Sequence, residues 1–146
     1  MKLKAIILAA GQGRRMKSSL PKVLHKLGNL PLLEHVANLA ASLECGDITI
    51  VYGHGGGKVR AVLGHLKTSW VEQKERLGTG HAVMQIADSI GDDQTVLILY
   101  GDVPLLGKST VEKLLALSDA NTLGLLTIDL ENPFSYGRII RDAETH

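Results

Sequence analysis

The stretch from Gly11 to Lys22 combines the two properties that a phosphate-binding loop requires, a flexible backbone and positive charge. Gly11 and Gly13 allow the backbone to approach a ligand closely and its N–H groups to converge on an anion. Met16 stands where the G-x-x-x-x-G-K-[ST] and G-x-G-x-x-G motifs both have their last glycine, so the loop is neither of those types. Its basic side chains are Arg14, Arg15, Lys17 and Lys22.

The alternative interpretation of this stretch is an ordinary strand-to-helix turn. Such turns take about 2–6 residues, whereas the non-helical stretch runs over residues 11–20 and is strongly basic. Charge-assisted hydrogen bonds to phosphate contribute about 1.5–3 kcal/mol each. We therefore predict that the loop binds an anionic ligand.

Asp102 follows the apolar run TVLILY and is the candidate metal ligand of the chain. Magnesium takes one or two carboxylates from a protein and fills its other positions with water and substrate phosphates. The alternative is an aspartate that only shapes the turn before Pro104. A phosphate loop at the same edge of the fold favours the metal site.

Gln73 and the run from Leu77 to His81 form a third candidate site. The Gln73 amide offers both a donor and an acceptor, which suits the edge of a nucleobase. The alternative is purely structural, because Gly78 and Gly80 precede a predicted helix with Thr79 as its N-cap.

The charge distribution favours one anion site over a nucleic-acid surface. Residues 1–33 contain seven Lys and Arg residues and no Asp or Glu, although the net charge of the whole chain is only +1. The remainder is therefore acidic, and an aromatic content of 3% excludes stacked platforms for single strands. We expect no nucleic-acid partner.

Other site classes lack their residues. Cys45 is the single cysteine, which excludes an internal disulfide and a thiolate metal cluster. The histidines form no H-x-x-x-H pair, and no G-x-S-x-G or H-E-x-x-H motif occurs. The apolar run Ala5 to Ala10 is too short to span a bilayer. A cytoplasmic protein without a membrane partner is expected.

Strands and helices alternate along the chain, which predicts an α/β fold with a mostly parallel sheet covered by helices on both faces. Predicted strands run over residues 4–10, 47–52, 69–72, 95–100 and 122–130, and another starts at 138–141. Predicted helices cover 31–44, 58–66, a segment after Gly80, and 109–117, the last opened by a capping box from Ser109 to Glu112. Gly11, Gly53 and Gly101 each follow a strand, so the ligand is expected at the carboxyl edge of the sheet.

The final predicted strand has no partner within the sequence. An unpaired strand leaves its backbone hydrogen bonds unmade. Residues 1–146 are therefore expected to be part of a larger domain, incomplete at the C-terminus.

The loop resembles the signature L-A-A-G-x-G-[ST]-R-M…P-K of sugar-nucleotide pyrophosphorylases. The runs PKVLHKL, LEHV, VYGHGG, LGTGHAV, LYGDVPL and YGRIIR extend the resemblance nearly from end to end. They are similar to the uridylyltransferase domain of the bifunctional N-acetylglucosamine-1-phosphate uridylyltransferase / glucosamine-1-phosphate acetyltransferase family. The resemblance implies a Rossmann-like nucleotidyltransferase fold. Arg14 and Arg76 depart from the family pattern, which has Thr or Ser and Gln there.

The resemblance also implies a reaction, in which UTP and N-acetylglucosamine 1-phosphate give UDP-N-acetylglucosamine, a cell-envelope precursor, and pyrophosphate. It implies catalytic roles for Arg15 and Lys22, a magnesium ion at Asp102 and base recognition by Gln73. The other implied nucleotide-binding residues are Leu8, Ala9, Ala10, Gly11, Gly13, Gly78 and Thr79, and the implied sugar-binding residues are Tyr100, Gly101 and Gly137.

The family's domain continues beyond residue 146, with further sugar and metal ligands and a β-helix acetyltransferase domain that forms trimers. The resemblance therefore implies a homotrimeric parent protein and weak or no activity for this chain alone. The alternatives are a related sugar-1-phosphate nucleotidyltransferase with another base or sugar, and a non-catalytic nucleotide-binding module.

Overall fold

A computed structural model describes residues 2–11, 13, 16–53, 56–119 and 121–141. Six strands and four helices lie in this part of the chain. The strands are β1 (Lys2–Ala9), β2 (Lys26–Leu27), β3 (Leu30–Pro31), β4 (Asp47–Gly53), β5 (Ser69–Gln73) and β6 (Gln94–Tyr100). The helices are α1 (Leu32–Ser42), α2 (Gly57–Leu63), α3 (Thr79–Met84) and α4 (Lys108–Ala116), and 3-10 turns cover Lys22–Leu24 and Ala87–Ser89.

The central sheet has the strand order β5-β4-β1-β6, and every pairing in it is parallel. The register pairs Leu8 with Val51 on one side and with Tyr100 on the other. β2 and β3 form a separate antiparallel hairpin before α1. All four strands of the main sheet therefore end at one edge, as predicted.

β1 is buried on both faces because alternate side chains enter two different apolar layers. Ala5, Ile7 and Ala9 pack under α1, α2 and α4, whereas Ile6 and Leu8 pack under α3. In α1 the spacing i, i+3, i+4, i+7 turns four side chains inward, namely Leu33, Val36, Ala37 and Ala40. The predicted α/β fold with helices on both faces is confirmed.

The strands predicted over 122–130 and 138–141 are wrong, because the structure gives neither segment a strand. The apolar residues are present, but Leu123 is 93% exposed and Ile128 is 73% exposed. An alternating pattern specifies a strand only where a neighbouring strand takes up its backbone hydrogen bonds. Among the described residues none pairs with the outer side of β6.

Both predicted helix caps are also wrong. Gly107, not Ser109, is the N-cap of α4, and Gly78, not Thr79, is the N-cap of α3, in each case without a side-chain capping bond. Gly78 has a φ of 105°, which a residue with a Cβ rarely adopts, so the backbone itself directs the chain into α3. The predicted helix after Gly80 is shorter than expected and gives way to the 3-10 turn.

Candidate functional site

A cavity of about 330 Å³ opens at the carboxyl edge of the sheet. It lies between the end of β1, the 3-10 turn after the loop, the junction of β5 with α3, and the end of β6. Its walls are formed by Leu8, Ala9, Ala10, Gly11, Lys22, Val23, Gln73, Arg76, Gly78, Thr79, Ala82, Tyr100 and Asp102.

The ends of β1, β4 and β6 approach one another closely because Gly53 ends β4 and Gly101 follows β6. A Cβ on Gly53 would lie 2.7 Å from the backbone oxygen of Ala10. A Cβ on Gly101 would lie 3.2 Å from the oxygen of Leu8, and the Gly101 N–H donates a hydrogen bond to that oxygen at 2.9 Å. The two glycines therefore hold the carboxyl ends of β4 and β6 against the end of β1.

An ion pair crosses the mouth of the cavity. Lys22 Nζ donates a hydrogen bond to Asp102 Oδ2 at 2.5 Å, and each side chain remains about one-third exposed, at 34% and 32%. Lys22 is placed by the 3-10 turn that ends the loop, and Asp102 by the turn after β6. The arrangement brings a mobile cation and a carboxylate to the same point, although 80 residues separate them in the sequence.

Gln73 is the last residue of β5 and is only 3% exposed. Its Nε2 donates to the backbone oxygen of Gly78 at 3.0 Å and lies 3.0 Å from His81 Nδ1. These contacts hold the carboxamide at the wall of the cavity. A buried amide held in this way has a fixed orientation, which recognition of a flat polar ligand requires.

A second, more open cavity of about 600 Å³ adjoins the first on the side of the loop. Ala9, Ala10, Gly11 and Arg76 line both cavities. Gly13 lines the second and has a φ of 59°, and a Cβ there would lie 2.6 Å from Lys22 Cβ. The other polar and charged side chains of its wall are Lys17, Ser18, Ser19, Tyr52 and Lys58.

Most of the residues predicted for the site are therefore found around one connected pair of cavities. Gly101 is buried directly behind Tyr100 and does not line either cavity. Gly137, although described, also lines neither. Arg15 and the departing residue Arg14 lie outside the described residues.

Lys58 and Tyr52 were not among the predicted site residues. Tyr52 lies near the end of β4, and Lys58 lies in the first turn of α2, after the run Gly55 to Gly57. Asp102 follows a glycine after a strand, and Lys58 follows Gly57 after β4 in the same way. Sequence reasoning could have found it by that signal.

Cys45 lies away from the two cavities. Burial raises the pKa of the Cys45 thiol, with a smaller opposing effect of a backbone hydrogen bond. Cys45 precedes β4, at the opposite edge of the sheet from the cavity, so it is remote from the site.

Within the described residues no cluster of three His, Cys, Asp or Glu side chains is arranged to hold a metal ion. No helix in that part of the chain is long and apolar enough to cross a membrane.

Residues 5–131 match the family described as the MobA-like NTP transferase domain. The chain is 64% identical over 143 residues to the bifunctional protein GlmU of Methylococcus capsulatus, and 51% identical over 142 residues to that of Idiomarina loihiensis. The alignments cover 98% and 97% of this chain but 31% of either relative, so the chain spans about a third of their length. The resemblance to the bifunctional family is confirmed.

Solved structures share the fold at lower identity. A nucleotidyl transferase from Methanothermobacter superposes with a TM-score of 0.72 at 21% identity, over 81% of this chain and 58% of that one. Rv0371c of Mycobacterium tuberculosis H37Rv, solved in complex with manganese, gives a TM-score of 0.66 at 18% identity, over 80% and 59%. At these identities the likeness shows the fold alone.

Proposed function

The chain belongs to the MobA-like NTP transferase family, and we propose that it supplies the nucleotide-binding part of an enzyme that transfers uridylyl from UTP to N-acetylglucosamine 1-phosphate. The products are UDP-N-acetylglucosamine, a precursor of cell-envelope polysaccharides, and pyrophosphate. The observation that carries the proposal is the convergence of Lys22, Gln73 and Asp102 on one cavity.

The reaction suits a site without a protein nucleophile. A phosphate oxygen of the sugar phosphate attacks the α-phosphorus of UTP, the bond from that phosphorus to the α–β bridging oxygen breaks, and pyrophosphate leaves. The attacking oxygen already carries negative charge, so the protein does not have to remove a proton. Catalysis then depends on alignment of the reactants and on neutralisation of developing charge.

The loop provides both contributions in this proposal. The backbone of Ala10 and Gly11 allows close approach of the phosphates, because no protein atom lies within 4 Å of a Cβ position at Gly11. Lys22, at the end of the loop, provides a mobile charge for the phosphates, as does Arg15. In this proposal Gln73 and Gly78 contact the base and Tyr100 borders the sugar, since all three line the cavity.

Asp102 would hold a magnesium ion in this scheme. The fit is chemical: one partly exposed carboxylate in a phosphate-binding cavity is a donor set that Mg²⁺ completes with phosphate oxygens and water. A bound divalent cation supplies charge neutralisation on the phosphates. In the free protein the cationic partner of the Asp102 carboxylate is Lys22.

The test is a calorimetric titration of the protein with UTP, with and without Mg²⁺. We expect saturable binding of UTP that tightens with Mg²⁺. Absence of binding under both conditions would overturn the proposal. A panel of nucleoside triphosphates and sugar 1-phosphates, assayed for pyrophosphate release with a protein of the relatives' full length, defines the substrate.

The second candidate is a nucleotidyltransferase of different base or sugar specificity. It is favoured by Arg76, a long cationic side chain that lines both cavities and departs from the family pattern. Preference of the titrated protein for another triphosphate over UTP would select this candidate. For the whole protein we also propose a cytoplasmic location and a homotrimer, which the family resemblance implies.

A further inference from the structure

His81 contacts a group on which the proposed base recognition depends. Gln73 Nε2 carries two hydrogens, and two acceptors lie around it: the oxygen of Gly78 at 3.0 Å and His81 Nδ1 at 3.0 Å. Both amide hydrogens are used within the protein. The atom that Gln73 can offer a ligand is therefore Oε1, a hydrogen-bond acceptor.

The orientation of the Gln73 amide depends on the tautomer of His81. If Nδ1 carried a hydrogen, the amide would turn to present Oε1 to it, and Oε1 would then face the Gly78 oxygen, acceptor against acceptor. With Nδ1 unprotonated, both contacts of Gln73 are satisfied. His81 therefore has its hydrogen on Nε2 when its ring is neutral.

Gln85 also contacts the His81 ring and competes with Gln73 for its acceptor nitrogen. Its Nε2 lies 3.2 Å from His81 Nε2 and 3.1 Å from the His81 backbone oxygen. A neutral imidazole accepts a hydrogen bond at one ring nitrogen only. Gln85 is exposed and can turn to water, whereas Gln73 is 3% exposed and cannot. The buried contact decides the tautomer because leaving it unmade costs more.

We propose that His81 is a positioning residue for base recognition, whose Nδ1 holds the Gln73 amide with Oε1 toward the base. The inference rests on the proposed function and deepens it. An acceptor at this point matches the N3–H of uracil and opposes the bare N3 of cytosine. A site built around one such hydrogen bond rejects a base that lacks the matching group.

The experiment compares three variants of the protein with the wild type by titration with UTP and CTP. His81→Leu removes the acceptor. His81→Asn retains one, because the Asn amide oxygen lies about where Nδ1 lies in histidine. Gln85→Ala is the matched control, since it removes the exposed neighbour and leaves the Gln73 contact intact. The readout is the ratio of the CTP to the UTP dissociation constant, a quantity that a general loss of structure does not change selectively.

We expect His81→Leu to lower this ratio about fivefold to tenfold, while His81→Asn and Gln85→Ala stay within about twofold of the wild type. An unchanged ratio in a folded His81→Leu protein that still binds UTP overturns the inference and leaves the proposed function standing. Failure of the wild type to bind UTP overturns the proposed function and the inference with it.

A nucleotide-free measurement keeps the inference falsifiable if His81→Leu fails to fold. Nitrogen-15 NMR of the wild-type protein reports which ring nitrogen of His81 carries the hydrogen. We expect the hydrogen on Nε2 at a pH where the ring is neutral. A hydrogen on Nδ1 would contradict the hydrogen-bond arrangement from which the inference is drawn.

Discussion

Lys22 Nζ donates a hydrogen bond to Asp102 Oδ2 at 2.5 Å, so the cation and the carboxylate proposed for phosphate and metal binding are partners of each other in the free protein. The bond uses one of the three ammonium hydrogens and one carboxylate oxygen, so each group keeps further hydrogen-bonding capacity. Under the proposed function, Lys22 would exchange this bond for a phosphate contact and Asp102 would be released to hold the metal ion.

Replacement of Asp102 by Asn tests this exchange. Without Mg²⁺ we expect UTP to bind Asp102→Asn at least as tightly as the wild type, because the change removes a negative charge from the cavity and releases Lys22. With Mg²⁺ the wild type gains affinity and the variant does not. Asp92→Asn, an exposed position outside both cavities, is the control. Equal Mg²⁺ enhancement in wild type and Asp102→Asn would contradict a metal site at Asp102.

Replacement of Lys22 by Met should weaken UTP binding about tenfold to a hundredfold, because a charged hydrogen bond to phosphate is lost. The free energy of unfolding should change by no more than about 1 kcal/mol, since the pair with Asp102 is partly solvated. Calorimetric titration and urea unfolding measure the two effects. Lys26→Met, exposed on the nearby hairpin, should leave both unchanged; a similar loss of binding there would indicate a diffuse charge effect.

Substitution of two glycines near the strand ends should affect stability in one case and UTP binding in the other. Gly53→Ala should lower the free energy of unfolding by roughly 1–3 kcal/mol, because the new Cβ meets the Ala10 oxygen at 2.7 Å. Gly11→Ala meets nothing within 4 Å and should fold normally, yet should weaken UTP binding by about tenfold because the methyl group enters the cavity. Gly46→Ala, also without neighbours within 4 Å, is the control for both measurements. Unimpaired UTP binding by Gly11→Ala would remove the loop backbone from the proposed site.

Lys4 is a buried cation that lines neither cavity. It is 2% exposed, and its Nζ donates to Asp47 Oδ2 at 2.6 Å and to the backbone oxygen of Ser89 at 3.1 Å. Asp47→Ala should destabilise the protein by about 1–3 kcal/mol, because it leaves the buried charge without its counter-ion. Lys4→Met should lower the free energy of unfolding by less, since it removes the buried charge and with it the need for a counter-ion. Urea unfolding measures the free energy of unfolding of both variants. A larger loss for Lys4→Met than for Asp47→Ala would contradict this reasoning, because it would show that the attraction within the pair outweighs the cost of burying the charge.

The chain alone should bind UTP but release little pyrophosphate from UTP and N-acetylglucosamine 1-phosphate. Of the described residues proposed to bind the sugar, Tyr100 lines the cavity, whereas Gly137 does not. A coupled assay for pyrophosphate measures turnover. Robust Mg²⁺-dependent release would show that the 146 residues suffice for catalysis.

The meeting of Lys22 and Asp102 could be predicted from the sequence because it follows from topology. Parallel strands end at one edge, and both the loop that contains Lys22 and the residue Asp102 follow a strand. Gln73 was predicted as a separate candidate from the chemistry of its amide, without a place at this edge. Their pairwise contacts could not be predicted in the same way. The Lys22–Asp102 bond and the His81–Gln73 contact depend on turns whose direction, such as the φ of 105° at Gly78, is not specified by a hydrophobic pattern.

The segment 122–130 illustrates the opposite limit. Its content of leucine, isoleucine and threonine favours a strand, yet the structure leaves it irregular and largely exposed. The local sequence pattern permits a strand here, but a strand forms only if the segment pairs with a neighbour such as β6. The caps of α3 and α4 were mispredicted for a related reason, because backbone glycines performed the role assigned to side chains.

The outer side of β6, with which no described residue pairs, has a consequence for the behaviour of the protein in solution. Ile98 and Tyr100 on this strand are 45% and 51% exposed, and Ile140 in the following irregular segment is 91% exposed. Open strand sides beside uncovered apolar groups recruit strands from other molecules. We therefore expect self-association that grows with protein concentration, so that handling in dilute solution is as much a condition for measuring nucleotide affinity as the choice of buffer.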